Sequence, residues 1–538
     1  MIEARLAGAL PGGGRAWRRA AAVLAAVALA LVAAAPRFAA AAEADPELQL
    51  VYRPPAAEQS EPPRMATRAY LEFGAVLLYE NLDYWATYGD WVEDWQFAFT
   101  WDDQKKKLLQ LKGVRFDSND FQTNWTHAYA GSMYYNFGRI NNLGVGESFL
   151  MAAFESVYWE SVVEYREVFS INDTFMTIFG ALSIGEPYYQ LARYLTTRED
   201  PMARALGFIS PVMGIQALLD PASRPRRTDN QTLPGYGVFL VLGAATVDAN
   251  YPSDTGTFTT VGLRSRFVLA PGFTAPGTES RQGWEVLAST ADFCADLEGG
   301  NVQELDVFSR AVFYGRVDRS VGDDSRGSAS ILGFGSAFTL FRKDSVAPYD
   351  RGGVPVHLGY DLHLEEPRDF RDKYAIVHLF GPVYEGFWRG RTLGVTWAME
   401  AYPDFGMINA YGLNAYSVDH DLAGDKTTLL YDGYYYGYGV SGKARVEASA
   451  GPVTIGAVGS LHYHASIEGL DRFQDDLTTD VRAWDTWFRL DANLTVRIPR
   501  TPLAVEALAR WSSRRGAVGD VVARGTESRY ALEVTWRL

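Results

Sequence analysis

Cysteine is nearly absent. Cys294 stands alone in 538 residues, which excludes a disulfide framework and any CxxC-type zinc or iron–sulfur site. Basic residues are in deficit, 50 Lys and Arg against 65 Asp and Glu, which argues against general nucleic-acid binding. Long apolar runs are missing beyond the first forty residues, and the mean hydropathy of −0.13 excludes a polytopic helical membrane protein. It does not exclude a membrane β-barrel, whose strands alternate lipid-facing and lumen-facing residues and average to near neutral. P-loop, HExxH and GxSxG motifs are also lacking. What is abundant is apolar and aromatic: 47% hydrophobic and 14% aromatic residues rule out a disordered chain and supply ample core for two or three domains.

Arg15, Arg18 and Arg19 precede an apolar run from Ala20 to Ala35, followed by the small residues Ala39 to Ala42. A basic start, a short apolar stretch and an A-x-A cleavage site predict a secretory signal peptide over 1–42, the alternative being an uncleaved anchor. No Cys lies near the cut, so a lipoprotein is not expected. Removing 1–42 takes five basic residues (Arg5, Arg15, Arg18, Arg19, Arg37) and one acidic (Glu3) from 50 and 65, leaving a net charge of about −19. An acidic, aromatic-rich exported chain with one Cys points to a Gram-negative envelope protein.

Residues 43–65 are polar and Pro-rich and read as a flexible leader. Over 66–219 the period is helical: Ala69, Phe73, Val76 and Leu77 recur at spacings of three and four, as do positions from Phe149 to Phe169. Four or five helices are expected, ending where Pro211, Pro221 and Pro225 accumulate. A linker at 220–234 follows. From about 235 to 538 the period is two. Phe488, Leu490, Ala492, Leu494, Val496 and Ile498 alternate with Arg489, Asp491, Asn493, Thr495 and Arg497. Tyr530, Leu532, Val534, Trp536 and Leu538 repeat the scheme at the end of the chain.

Such alternation gives each strand one apolar and one polar or small face. A soluble sandwich would show it too. Segment lengths of ten or more residues favour a lipid-embedded barrel. So do aromatics near strand ends, among them Trp284, Trp388, Tyr402, Tyr434, Tyr436, Tyr438, Trp484, Trp487, Trp511 and Trp536. The final strand, 526–538, resembles the C-terminal assembly signal of outer-membrane barrels, with Leu538 where an aromatic is usual, so it implies the barrel assembly machinery as a partner. Thirteen alternating runs are visible, one of them at 353–365. Single-chain bacterial barrels use even numbers, so the expected fold is α+β: an N-terminal α-helical domain followed by an antiparallel transmembrane β-barrel of twelve strands, ten or fourteen being alternatives. The intervals 319–328, 403–427 and 467–481 are expected to be the longest loops and to face outward.

Within the helical part, Phe121, Asn124, Trp125, His127, Gly131, Tyr134, Tyr135 and Arg139 spell FxTNWxHxxxGxxYYxxxR. Ser156, Trp159, Glu160 and Glu164 follow as SxxWExxxE, then Ser170, Asn172 and Asp173 as SxND, and Gly180, Gly185 and Glu186 as GxxxxGE. These seventy residues resemble DUF3943, a bacterial envelope domain of unknown function. The resemblance implies an exported protein carrying a following β-barrel, and it implies no activity.

Glu160, Glu164 and Glu167 recur at helical spacing and can share a face. Three readings are open. The face is solvated or paired with Arg139, Arg166 or Arg193; or His127, Glu160 and Asp173 form a buried polar cluster that locks helix packing or docks this domain on the barrel; or His127 serves as base or ligand beside Glu160 and Glu164. Gly180, Ser183 and Gly185 suit close helix packing. In the barrel, Ser460, His462 and His464 lie on one strand face, a pairing that suggests a lipid hydrolase, but the phase puts them with Thr454 on the polar, lumen side. No metal or cofactor is expected. The leading expectation is a non-enzymatic outer-membrane protein, a pore or scaffold in contact with outer-membrane lipid, whose helical domain plugs the lumen or stands in the periplasm, there meeting an unidentified partner. The rivals are a lipid-modifying outer-membrane hydrolase and a soluble periplasmic binding protein.

Overall fold

The computed structural model describes residues 63–88, 96–117, 121–220, 236–250, 253–343, 372–413, 415–416, 420, 433–472 and 481–538. The predicted signal peptide, the leader up to residue 62, the linker after Asp220 and the run at 353–365 lie outside the described residues.

Among the described residues, seven helices of six residues or more form first, besides a single turn at Trp101–Gln104: α1 (Ala66–Tyr88), α2 (Phe121–Ile140), α3 (Val145–Tyr158), α4 (Ile171–Gly180), α5 (Glu186–Thr196), α6 (Pro201–Leu206) and α7 (Pro211–Leu219). This exceeds the expected four or five for a local reason. π-helical turns at Trp159–Val163 and Ala181–Gly185 extend α3 and join α4 to α5, and Pro at the first turn starts α6 and α7 as short separate pieces. Ser170 caps α4 by accepting from the Asp173 amide, and Asp200 caps α6 in the same way from Met202.

Twelve antiparallel strands follow: β1 (Gly237–Asn250), β2 (Ser253–Val268), β3 (Gly277–Glu298), β4 (Asn301–Val321), β5 (Gly327–Lys343), β6 (Lys373–Arg389), β7 (Gly394–Asn409), β8 (Tyr434–Ala450), β9 (Val453–Ser466), β10 (Ala483–Arg497), β11 (Leu503–Val518) and β12 (Val521–Arg537). Each pairs with its neighbour in sequence, and β12 returns to β1 from Glu527↔Ala249 to Arg537↔Phe239, closing the ring. Closure leaves no unpaired sheet edge. The strand ends joined by the long segments 344–372, 410–433 and 467–482 all lie at one rim of the barrel, which also carries the two-residue connections 251–252, 299–300 and 519–520. At the other rim, the short-turn end, the connections are of two to eight residues. The interval at 319–328 is not a long loop. β4 and β5 run through half of it, leaving a five-residue turn at the short-turn end.

The lumen is neither wide nor empty. At the short-turn end the β2–β3 connection folds inward, and Phe273 meets Phe387 with ring centroids 5.5 Å apart, beside Tyr236, Leu287 and Ile331. At the long-loop end Leu413 and Tyr416 pack with Phe341, Tyr374, Tyr435 and Val518. Between these apolar layers is a cavity of about 300 Å³ lined by charged side chains.

The helical region plugs nothing, and here the expectation is corrected. On β4 the lumen-lining residues are Asp306, Phe308 and Arg310. The residues that touch helices are the alternate ones: Val307 packs with Phe121, Ala128 and Met176, Ser309 donates to the Ser183 carbonyl at 2.6 Å, and Ala311 and Phe313 pack with Tyr135 and Leu182. Side chains of opposite parity point to opposite faces, so the helices lie against the outer wall. Near the short turns, Leu191, Tyr194 and Leu195 meet Val238, Leu263, Phe267 and Ala291, and the Tyr194 hydroxyl donates to the Leu538 carbonyl at 2.7 Å. Near the long loops, Phe116 stacks on Tyr436 at 4.6 Å and its amide donates to the Leu470 carbonyl at 2.7 Å. The continuous helix 171–196, about 39 Å at 1.5 Å per residue, therefore runs along the wall from one rim to the other.

The aromatic positions divide accordingly. Trp284, Trp388, Tyr438 and Trp536 are exposed on the outside. Tyr402 and Trp487 line the lumen, and Tyr434 and Tyr436 are buried beneath the helices, so these four are not girdle residues.

Candidate functional site

The polar residues of the helical motif converge at the long-loop rim, where helix meets strand. Asn172 is the hub. Its side-chain carbonyl accepts from the Asp117 amide at 2.8 Å and from Ser170 Oγ at 3.0 Å. Its amide donates to Asn124 Oδ1 at 2.6 Å and to Asp173 Oδ1 at 2.9 Å. Asn124 in turn donates to the hydroxyls of Tyr434 and Tyr436 on β8, at 2.8 and 3.0 Å. Tyr436 then donates to the Asp117 carbonyl at 2.5 Å, and Arg472 pairs with the Asp117 carboxylate at 2.7 Å. Each of these groups but Arg472 is buried, and a buried polar group holds its place only when its hydrogen bonds are met. The network is a latch between the helices and the barrel.

His127 lies beside this latch, with Nδ1 3.0 Å from the Thr123 carbonyl and 3.4 Å from Asp173 Oδ1. Glu160 and Glu164 do not form a solvated helical face with Glu167. The π-turn at Trp159–Val163 breaks the phase, and each carboxylate has its own donor. Glu160 accepts from the Ser170 amide at 2.7 Å, Glu164 from Trp159 Nε1 at 2.8 Å, and Glu167 from the Tyr84 hydroxyl at 2.5 Å. Lys107 Nζ donates to the Glu160 and Glu164 carbonyls at 2.7 and 2.8 Å, satisfying oxygens that a helix end leaves without partners. These groups stand outside the strands. Burial raises the Glu160, Glu164 and Asp173 carboxyls above their ordinary range, and it pushes the Lys107 ammonium down to about 8. Among the described residues no group of three or more His, Cys, Asp and Glu is placed to hold a metal ion.

A second buried network sits at mid-height on the bundle. Tyr135 donates to Glu186 at 2.5 Å, Gln190 at 2.6 Å, and Arg139 at 2.8 and 3.2 Å. Arg139, expected as counter-charge for Glu160 and Glu164, is thus committed to Glu186. The motif glycines mark where helices touch. A Cβ on Gly131 of α2 would lie 2.0 Å from the Thr177 carbonyl oxygen of α4, and one on Gly180 would lie 2.3 Å from the Ala128 oxygen of α2. A Cβ on Gly185 would meet the Tyr135 ring at 2.8 Å. Gly131→Val is therefore expected to force α2 and α4 apart at a cost of about 1–3 kcal/mol. Protease should then cut within the helical region while the barrel stays folded. Gly74→Ala, where nothing lies within 4 Å of the added carbon, should leave the digestion pattern unchanged.

Ser460, His462 and His464 face the lumen, as their phase indicates. Among the described residues no hydrogen bond joins Ser460 to either His. The interior pairing that does form was missed in the sequence because its members come from five strands. His378 Nδ1 lies 2.6 Å from Asp404 Oδ1, and its Nε2 lies 2.8 Å from Thr339 Oγ1. His464 Nε2 reaches Asp404 Oδ2 at 3.2 Å, and Ser441 Oγ lies 3.1 Å from Asp404 Oδ1.

Ion pairs fill the rest of the lumen. Arg489 on β10 pairs with Asp306 on β4 at 2.5 Å, and Arg266 on β2 pairs with Glu447 on β8 at 2.8 Å. In a ring of twelve, both pairs join strands on opposite walls. Arg510 reaches Glu304 at 3.0 Å and Asp491 at 2.8 Å. Arg264 bridges Glu506 and Glu533, Arg529 holds Asp296 at 2.8 Å, and Arg310 pairs with Glu400 and Glu385.

Residues 113–217 match the family model of DUF3943, a domain of unknown function. That match covers α2 to α6, most of α7 and the helical side of the latch. No curated protein matches the chain. Among solved structures, the KdgM porin aligns over 55% of this chain and 99% of its own, with 9% identity and a TM-score of 0.21. The translocator domain of the autotransporter NalP from Neisseria meningitidis aligns over 56% and 89%, with 11% identity and a TM-score of 0.21. The Pseudomonas putida toluene transporter TodX aligns over 60% and 92%, with 8% identity and a TM-score of 0.22.

Proposed function

We propose that this chain is a bacterial outer-membrane protein in which the barrel is a closed scaffold that carries the DUF3943 region on its outer wall. The observation that carries the reading is the pair of salt bridges across the barrel diameter, Arg489–Asp306 and Arg266–Glu447. An open channel keeps its lumen for water and solute, whereas here opposing charges meet in the middle and apolar layers lie above and below them. Membrane placement is supported by the outer face of β8–β12 and β1, where Leu242, Tyr438, Leu461, Phe488, Leu532 and Trp536 are exposed while the ion-paired side chains Glu447, Arg489, Arg510 and Arg529 line the lumen. The long loops then face outward, and β12 is the strand that the barrel assembly machinery would engage. A barrel in hydrocarbon has every backbone group paired within the ring.

The motif residues support a scaffold role for the helices as well. Asn124, Ser170 and Asn172 spend their hydrogen bonds on the latch, and Tyr135, Arg139 and Glu186 spend theirs inside the bundle. The test is fractionation of cells expressing the full chain, with electrophoresis of unboiled and boiled samples. The protein is expected in the detergent-extracted outer-membrane fraction, with a mobility that changes on boiling. Recovery as a soluble periplasmic protein with no such change would overturn the reading.

A further inference from the structure

We infer that the helical region is itself a lipid-contacting layer, with the outward faces of α1, α3 and α7 occupied by bilayer acyl chains. This rests on the barrel being in a membrane, as proposed above. The helical elements packed most closely on strands are α4, α5 and the π-turn between them, with α2 joined to β8 through Asn124, whereas α1, α3 and α7 pack mainly on other helices and form the side turned away from the wall. On that side α1 exposes Tyr70, Leu71, Leu78, Tyr79 and Leu82, α3 exposes Leu150, Phe154 and Val157, and α7 exposes Ile215, Leu218 and Leu219. The spacings of three, four and seven place each set on one helical stripe. Leu71, Leu150 and Leu219 are 69%, 65% and 78% exposed, far more than an isolated apolar surface residue needs explained.

Charge is sorted to match. Between Glu72 and Asp83 of α1, and between Glu147 and Tyr158 of α3, the acidic residues are Glu80 and Glu155, and both turn inward. Tyr134 donates to Glu80 at 2.5 Å, and Glu155 is 4% exposed. Ion-paired groups gather at the two ends instead. Arg64, Arg68, Glu72, Glu147 and Asp220 pair with one another at the short-turn end, and Asp103 with Lys106 lies near the other. The exposed apolar stripe from Tyr70 to Leu82 is about 18 Å long, over half of a hydrocarbon core of about 30 Å. It stands at the height of the strands that α4 and α5 cover, between the wall and whatever surrounds it. The medium that meets Leu532 and Trp536 on the bare side of the barrel therefore meets Leu78 and Phe154 on the covered side. A protein partner would leave charged contacts to fix its register, and among the described residues this face offers no exposed charge between its two ends, only the hydroxyls of Tyr70 and Tyr79. No helix among the described residues is long and apolar enough to cross a membrane alone. The barrel wall makes that unnecessary, because it supports the polar inner faces of the bundle.

The test uses the full chain with Cys294→Ser, which removes the native thiol, and single substitutions Leu78→Cys, Phe154→Cys and Leu532→Cys. Each is labelled with an environment-sensitive fluorophore and reconstituted in phosphatidylcholine vesicles with acyl chains brominated or not. Quenching at positions 78 and 154 by at least half of that at 532 is the expected result. Quenching at 532 with none at 78 and 154 would overturn the inference while leaving the membrane barrel intact. If disulfide cross-links between two copies then form at 78 or 154, the face is a protein interface. No quenching at any of the three would overturn the barrel reading, and this inference with it.

Discussion

Glu186→Ala is expected to cost the helical region about 3–5 kcal/mol, because it leaves a buried guanidinium without its carboxylate. Glu186 is fully buried and accepts from Tyr135, Gln190 and Arg139 together. Its removal orphans all three donors, although Arg139 keeps its bond to the Leu143 carbonyl at 2.8 Å. Glu186→Gln keeps the volume and one acceptor and should cost less. The double variant Arg139→Met with Glu186→Leu replaces the charged pair by apolar groups and should recover most of the loss, since paired removal spares the penalty of an unmatched charge. Urea titration of the purified protein, read by protease susceptibility of the helical region, measures all three. If Glu186→Ala matched the wild type, the carboxylate would not be holding Arg139, and the motif's Tyr, Arg and Glu would need another explanation.

The barrel was legible because strand periodicity is a local property: with side chains alternating between lipid and lumen, Arg489 and Asp491 declare one face and Leu490 and Ala492 the other. Twelve of the thirteen alternating runs are strands of the ring, and the thirteenth falls outside the described residues. Placement of the helices was not legible in that way. An outer wall that meets helices is as apolar as one that meets hydrocarbon, so Val307 and Leu532 look alike in sequence. The available cue was size. Where the bundle packs closely, β3 and β4 present Ala291, Ser309 and Ala311 outward, whereas the bare wall of β12 presents Tyr530, Leu532, Val534 and Trp536. Of the candidate site, Asn124, Asn172 and Asp173 were visible as motif residues but their convergence was not, and the partners of Asn124, Tyr434 and Tyr436, are more than three hundred residues away. Periodicity also overstated the Glu160, Glu164 and Glu167 face, since it assumes a regular α-helix where a π-turn intervenes.

Removing the two bridges across the lumen should turn a silent barrel into a conducting one. A twelve-strand ring is wide enough to hold a water path once its interior side chains are cleared, and the charges that now fill it come from opposite walls. The four-fold variant Arg266→Ser, Glu447→Ser, Arg489→Ser, Asp306→Ser deletes both pairs without leaving a lone charge from either. In planar bilayers its conductance should rise on the order of tenfold above a near-zero wild type, since selectivity and blockage in such pores follow the groups that line them. Arg489→Ser alone should do less for conductance and more harm to stability, because Asp306 and Asp491, both held by Arg489 at 2.5 and 2.9 Å, would then share only Arg510. A steady open current through the wild-type barrel would contradict the closed-scaffold reading directly. A four-fold variant that folds yet stays silent would instead locate the seal in the apolar layers, at Phe273 and Phe387 below and Leu413 and Tyr416 above.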